Sequence, residues 1–167
     1  MDARDALELL FRSYERELGR YLVQMVRDRA LAEDLLQETF HDALCERGQL
    51  ASVRNSRAWL YGIARNRALR ALRSGRRFQR ALTRLGRGAS EASGGDEELV
   101  AVQDLLERHL SPDARALMLL RYVHGFEAAE LAEMTGLTAE AVRQRLARAR
   151  ARLLAAAQPT SGEGERR

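Results

Sequence analysis

Residues 125–153 read GFEAAELAEMTGLTAEAVRQRLARARARL. Glu127–Thr135 predicts a short helix, Gly136-Leu137-Thr138 a tight turn, and Ala139–Ala155 a longer basic helix. Two helices around a three-residue turn that holds glycine form the helix-turn-helix pattern, whose second helix enters a major groove. Val142, Leu146, Ala149 and Leu153 make the inward stripe of that second helix. Glu140, Gln144, Arg148 and Arg152 lie opposite, with Arg143 and Arg145 on the flanks. Thr138 is placed to cap the helix, so that its first turns are free to meet base edges. Gln pairs with adenine and Arg with guanine. A plain amphipathic hairpin is the alternative that this stretch alone leaves open.

Working back along the chain, Val53–Arg87 holds eleven arginines and no Asp or Glu. Like charges at these spacings repel, so a block of this density calls for a polyanion. A helix is predicted over about 57–77, with Leu60, Ile63, Ala64, Ala68, Ala71 and Leu72 on its buried arc. At about 100° per residue, Trp59, Gly62, Asn66, Arg70 and Arg73 share a different edge. An aromatic, an amide and guanidiniums on one edge suit single-stranded DNA, where rings stack on bases and Arg holds phosphates. Trp59 can equally be a core residue. From 78 to 95 the composition turns to Gly, Ala and Ser and predicts a flexible linker. Helices are then expected from about 96 to 109 and, after the Ser111-Pro112 start signal, to about His124. Residues 156–167 predict a frayed tail.

The first fifty residues are of opposite character, with seven arginines against eleven acids. Leu7, Leu10, Phe11, Tyr14, Leu18, Tyr21, Leu22 and Met25 predict an amphipathic helix over about 5–27. A second helix is expected over about 31–46. Its Asp34, Gln37, Glu38, His41, Asp42 and Cys45 gather on one arc, either a solvated face or a docking surface for a basic partner. His41 and Cys45 are four apart, but two ligands fall short of a metal site.

Composition bounds the rest. All 28 basic residues of the 167 are Arg, apolar residues make up 46%, and only two are Pro. Strand-like alternation is missing, so the class is all-α: two small helical domains joined by a flexible linker, the C-terminal one a helix-turn-helix. The domains are expected at 1–77 and 96–155. No apolar run approaches the ~18 residues of a membrane span, and no signal-peptide pattern opens the chain. One cysteine excludes an internal disulfide and fits a reducing cytoplasm. No nucleophile–base pair, phosphate loop or ligand cluster argues for an enzyme, a cofactor, a metal or a small-molecule substrate.

Taken together, AEDLLQETF (32–40), RAWLYGIARNRAL (57–69) and the 125–153 stretch resemble the extracytoplasmic-function sigma factors of bacterial RNA polymerase. The resemblance spans about 7–154. It implies that Asp34, Gln37 and Glu38 dock on core RNA polymerase. It also implies that Arg57, Trp59, Asn66, Arg70 and Arg73 meet the melted −10 element, Asn66 at the position associated with base recognition. Thr138, Arg143, Gln144 and Arg148 would read the −35 element. Promoter DNA and an anti-sigma factor are the further partners that the family implies. Leu44, Glu127, Ala141 and Gln144 depart from the usual pattern, and the last two bear on which −35 sequence is read. Two other readings compete. A stand-alone helix-turn-helix regulator leaves 32–40 and 53–77 unexplained. An RNA-binding or interaction module leaves the 136–138 turn unexplained.

Overall fold

The computed structural model describes residues 3–84 and 97–158. Among these residues the chain forms seven α-helices: α1 (Ala3–Val26), α2 (Arg29–Cys45), α3 (Ser56–Arg84), α4 (Glu97–His109), α5 (Pro112–Tyr122), α6 (Ala128–Thr135) and α7 (Ala139–Ala157). A six-residue 3-10 turn, Arg47–Ser52, joins α2 to α3. The expected all-helical class is what the structure shows.

Local chemistry sets most of the boundaries. Between α1 and α2 the chain reverses at Arg27, which takes a left-handed φ of 58°. Asp28 then caps α2, its carboxylate accepting from Leu31 N at 3.0 Å. The Asn55 side-chain oxygen accepts from Ala58 N at 3.0 Å and so opens α3. Ser111 accepts from Ala114 N ahead of Pro112, as the start signal predicts. At the end of α5, left-handed Gly125 turns the chain, and Phe126 N reaches back to Leu120 O at 3.0 Å.

One boundary differs from expectation. Instead of stopping near residue 77, α3 runs on to Arg84. The stretch FQRALTR (78–84) carries no Gly or Pro, so nothing in it stops a helix; the first glycine after Gly75 is Gly86. The remainder of the expected linker, 85–95, and the tail beyond 158 lie outside the described residues.

The two halves share their apolar interior. Leu18, Tyr21, Leu22 and Met25 of α1 pack with Leu35 and Phe40 of α2 and with Leu60, Tyr61, Ala64 and Ala68 of α3. The same cluster continues without a break through Ala116, Leu117 and Leu120 of α5 to Phe126, Leu131 of α6 and Val142 and Leu146 of α7. Polar ties fasten the junction. Arg115, only 3% exposed, donates from Nη2 to Met25 O at 2.8 Å, a cation on the carbonyl end of α1. Arg65, 8% exposed, reaches Asp113 of α5 at 3.1 Å. Arg27 pairs with Asp104 and Glu107 of α4. These contacts hold α5 and α4 against the first half, and the Asn55 amide, donating to Glu130, ties α6 to the head of α3.

Candidate nucleic-acid interface

The α3 edge predicted from periodicity forms one wall of a cleft. Trp59, Gly62, Asn66 and Arg70 line it together with Ile63 and Arg67. The turn before the helix adds Val53, Arg54 and Asn55, while Glu133 and Met134 of α6 close the far side. The cleft encloses about 720 Å³, within the range of ligand-binding pockets. Asn66 and Arg70 are exposed. Trp59 is half-buried and packs against the core, and it also lines the cleft.

Arg73 and Arg57 are not part of that wall. Arg73 lies further along α3, its Nη2 3.9 Å from Asp113. Arg57 is committed elsewhere in the fold. Its guanidinium stacks over Phe126 at 4.2 Å and Tyr61 at 5.2 Å from the ring centroids. It also donates to His124 O at 2.9 Å and reaches Glu17 at 3.3 Å. Sequence spacing could not foresee this, because Phe126 and His124, which hold Arg57 besides the neighbouring Tyr61, lie far from it in the chain.

Arg67, which the edge analysis passes over, joins α3 to α2. Its Nε and Nη2 donate to the two oxygens of Asp42, each at 2.6 Å, and Nη1 donates to Glu38 at 2.9 Å. This forked pairing holds the Asp42 carboxyl below the usual carboxylate range. The signal was present in sequence only as an acid on α2 and an arginine on α3, with nothing to pair them.

On the outer side of α2, Asp34, Gln37, Glu38 and His41 are all exposed. Together they form the acidic arc that the sequence predicts. Cys45 is the chain's one cysteine and is exposed, its Sγ 3.9 Å from His41 Nδ1. Among the described residues, no group of three or more His, Cys, Asp or Glu is placed to hold a metal.

The helix-turn-helix forms as the sequence predicts. Gly136 takes φ 71° at the end of α6, the left-handed position that favours glycine. Thr138 caps α7, its hydroxyl accepting from Ala141 N at 3.1 Å. Val142, Leu146 and Ala149 face inward and are buried. Arg143, Gln144 and Arg148 are exposed on the other side. Glu140 organises two of them, accepting from Arg143 Nη2 at 3.0 Å and Gln144 Nε2 at 3.4 Å. Glu127 opens α6 in place of a better cap, and Glu130 supports it by accepting from Glu127 N at 2.7 Å.

Behind α3 lies a half-buried polar knot. His124 Nε2 is 2.9 Å from Gln24 Oε1 and Nδ1 is 3.3 Å from the Tyr61 hydroxyl. A neutral imidazole satisfies both, donating to Gln24 and accepting from Tyr61. Burial, with the neighbouring Arg57 charge, pushes the His124 pKa down to about 4. Burial also pushes the Tyr61 phenol up to about 12.

Comparison with known proteins places this architecture. Residues 10–78 match the family described as Sigma-70 region 2, and residues 99–153 match Sigma-70 region 4. The chain is 33% identical over 147 residues to RNA polymerase sigma factor CarQ of Myxococcus xanthus, covering 86% of this chain and 84% of that protein. It is 31% identical over 159 residues to the ECF RNA polymerase sigma factor SigC of Mycobacterium tuberculosis, covering 92% and 84%. Among solved structures it resembles CnrH in complex with the cytosolic domain of CnrY, with a TM-score of 0.65 and 28% identity over 92% of this chain and 88% of that one. The sigma factor RpoE of Bartonella quintana, solved with the anti-sigma factor NepR, shares the fold at a TM-score of 0.68 and 24% identity, covering 89% and 94%. With two sigma regions in order, a helix-turn-helix at the end and relatives of matching length, the chain belongs to the ECF sigma factor family of bacterial RNA polymerase.

Proposed function

We propose that this chain binds core RNA polymerase through the exposed arc of α2, reads unpaired −10 bases with α3, and reads the −35 duplex with α7. The observation that carries the reading is the convergence of Trp59, Asn66, Arg54 and Arg70 on one cleft. Stacking surface, amide and guanidiniums meet there at the scale of a base that has left its stack. Asp34, Gln37 and Glu38 are the docking residues. Trp59, Asn66 and Arg70 form the −10 reader, and Arg73 adds a phosphate contact beyond it. Thr138, Arg143, Gln144 and Arg148 form the −35 reader. Arg57 supports this surface from behind.

The mechanism requires no chemistry from the chain itself. Unstacking costs about a few kcal/mol per base, and stacking on an aromatic platform returns roughly 1–3 kcal/mol of it. The phosphodiester chemistry belongs to the polymerase, so the chain acts as an initiation factor in the compartment where the polymerase works. The reading divides the chain into a docking and −10 unit and a −35 unit. An anti-sigma factor is the proposed regulator: RpoE of Bartonella quintana is solved with the anti-sigma factor NepR, and CnrH with the cytosolic domain of CnrY.

Specific initiation on a promoter library, with and without core polymerase, tests the proposal. Initiation at defined sites only in the presence of both proteins is expected. Tight, polymerase-independent binding to a palindromic duplex, with no added initiation, would favour a stand-alone regulator instead. Asn66→Ala should weaken promoter opening more than polymerase binding, and Asp34→Arg should do the reverse; equal loss in both assays removes the assigned roles.

A further inference from the structure

Glu140 is the one acid in the sequence of α7, and it is exposed on the same face as Gln144 and Arg148. An acid on a surface that meets phosphates repels them, so its place there calls for a physical reason. The helix dipole supplies a general one, since a carboxylate in the first turn is favourable. Yet Glu140 does not turn back to the helix end. Thr138 already satisfies Ala141 N, and both Glu140 oxygens reach forward along the helix, Oε2 to Arg143 and Oε1 to Gln144.

These contacts decide which edges of the two side chains are left for DNA. Arg143 spends Nε at 3.2 Å and Nη2 at 3.0 Å on Glu140 Oε2. Its side fork is thus occupied, while its end fork, Nη1 with the second Nη2 hydrogen, stays open to the O6 and N7 acceptors of guanine. A carboxylate only accepts, so the Gln144 amide must turn its nitrogen to Glu140 Oε1, which it meets at 3.4 Å. The other Nε2 hydrogen lies beside the amide oxygen, and that donor–acceptor edge is the one that pairs with N7 and N6 of adenine. An amide without such a partner turns over at little cost and offers the same edge in reverse order.

We propose that Glu140 is a positioning residue for −35 reading: it fixes the Gln144 amide and the Arg143 guanidinium so that α7 selects adenine where Gln144 meets the groove and guanine beside it. The inference rests on the reading of α7 as the −35 reader. Glu140 itself touches no base. Its charge lowers the affinity for every duplex, and its hydrogen bonds widen the differences between them.

The test uses the full chain bound to core RNA polymerase, on promoters randomised over the −35 element, with base preference and total initiation read from the transcripts. Wild type should favour adenine at one position by about tenfold, and Gln144→Ala should remove that preference. Glu140→Ala should reduce it to about two- or threefold while total initiation holds or rises. Glu140→Asp keeps the charge and the attraction to the helix end but is one methylene shorter, and it should lose the preference as well. A helix-end role alone makes the opposite forecast, with Glu140→Asp like wild type and a uniform loss of initiation in Glu140→Ala. That pattern, or a wild-type profile in both Glu140 variants, overturns the proposal. So does a Gln144-dependent preference for a base other than adenine. A further change at that position when Glu140→Ala is added to Gln144→Ala would make Glu140 a base contact and overturn it too. Wild-type profiles from Gln144→Ala and from Arg148→Ala would overturn the −35 reading of α7 on which it rests.

Discussion

His124 is neutral because the fold has no room for its charge. Its pKa falls from 6.5 to about 4 through burial and the nearby Arg57, so between those values the unfolded chain takes up a proton that the folded chain does not. Its contribution to stability is complete above pH 6.5 and is lost as the pH falls towards 4. Chemical denaturation across that range should show wild type losing more stability than His124→Gln, and parallel curves would remove the residue from the account. Tyr21 poses a second residue-level test. Its hydroxyl is fully buried without a hydrogen-bond partner, and burial raises its pKa well above the usual phenol value. Tyr21→Phe should therefore leave the protein as stable or stabilise it by about 1 kcal/mol, as a thermal melt would show. Neither residue stood out in the sequence. Tyr21 read as one more apolar position on α1, and His124 read as a helix-end residue without a role. Helical periodicity shows which side of a helix is buried but not which polar atoms are trapped beneath it.

At the scale of the element, the turn between α6 and α7 is the most legible part of the chain. Gly136 was placed there from the pattern alone, and its φ of 71° gives the reason. No atom lies within 4 Å of a β-carbon built at Gly136, so the cost of Gly136→Ala is one of backbone conformation alone. That cost is about 1–2 kcal/mol. The melting temperature should fall by several degrees, with α7 still formed by circular dichroism. The extent of α3 was less legible. A compositional shift towards Gly, Ala and Ser suggested an end near residue 77, but the first helix-breaking glycine in that shift is Gly86, and the helix continues to Arg84. The Arg67 fork between α2 and α3 was not legible at all, because its carboxylate partners lie 25 and 29 residues away. Arg67→Leu should leave Asp42 without its counter-charge and loosen α2 from α3. Faster amide exchange at the α2–α3 contact, with α7 unchanged, is the expected signature.

For the whole molecule, the all-helical class was legible in the sequence but the contact between the two halves was not. Two amphipathic units with a polar stretch between them read naturally as independent bodies. Their shared cluster depends on Phe126, Leu117 and Leu120 meeting Tyr21 and Tyr61, pairings that no local pattern encodes. Because that cluster is continuous, calorimetry should show one cooperative unfolding transition, and two separated transitions would mean that the halves melt as separate bodies. Arg27 makes the union answer to its solvent. Its left-handed backbone costs about 1–2 kcal/mol relative to glycine, part of which glycine would return through its freer unfolded chain. Against that strain stands its pairing with Asp104 and Glu107, whose partly exposed carboxylates make the attraction modest and open to screening. The two contributions are of similar size and only one of them fades in salt. Plotted against ionic strength, the stabilities of wild type and Arg27→Gly should therefore cross, with arginine favoured in dilute buffer and glycine in concentrated brine.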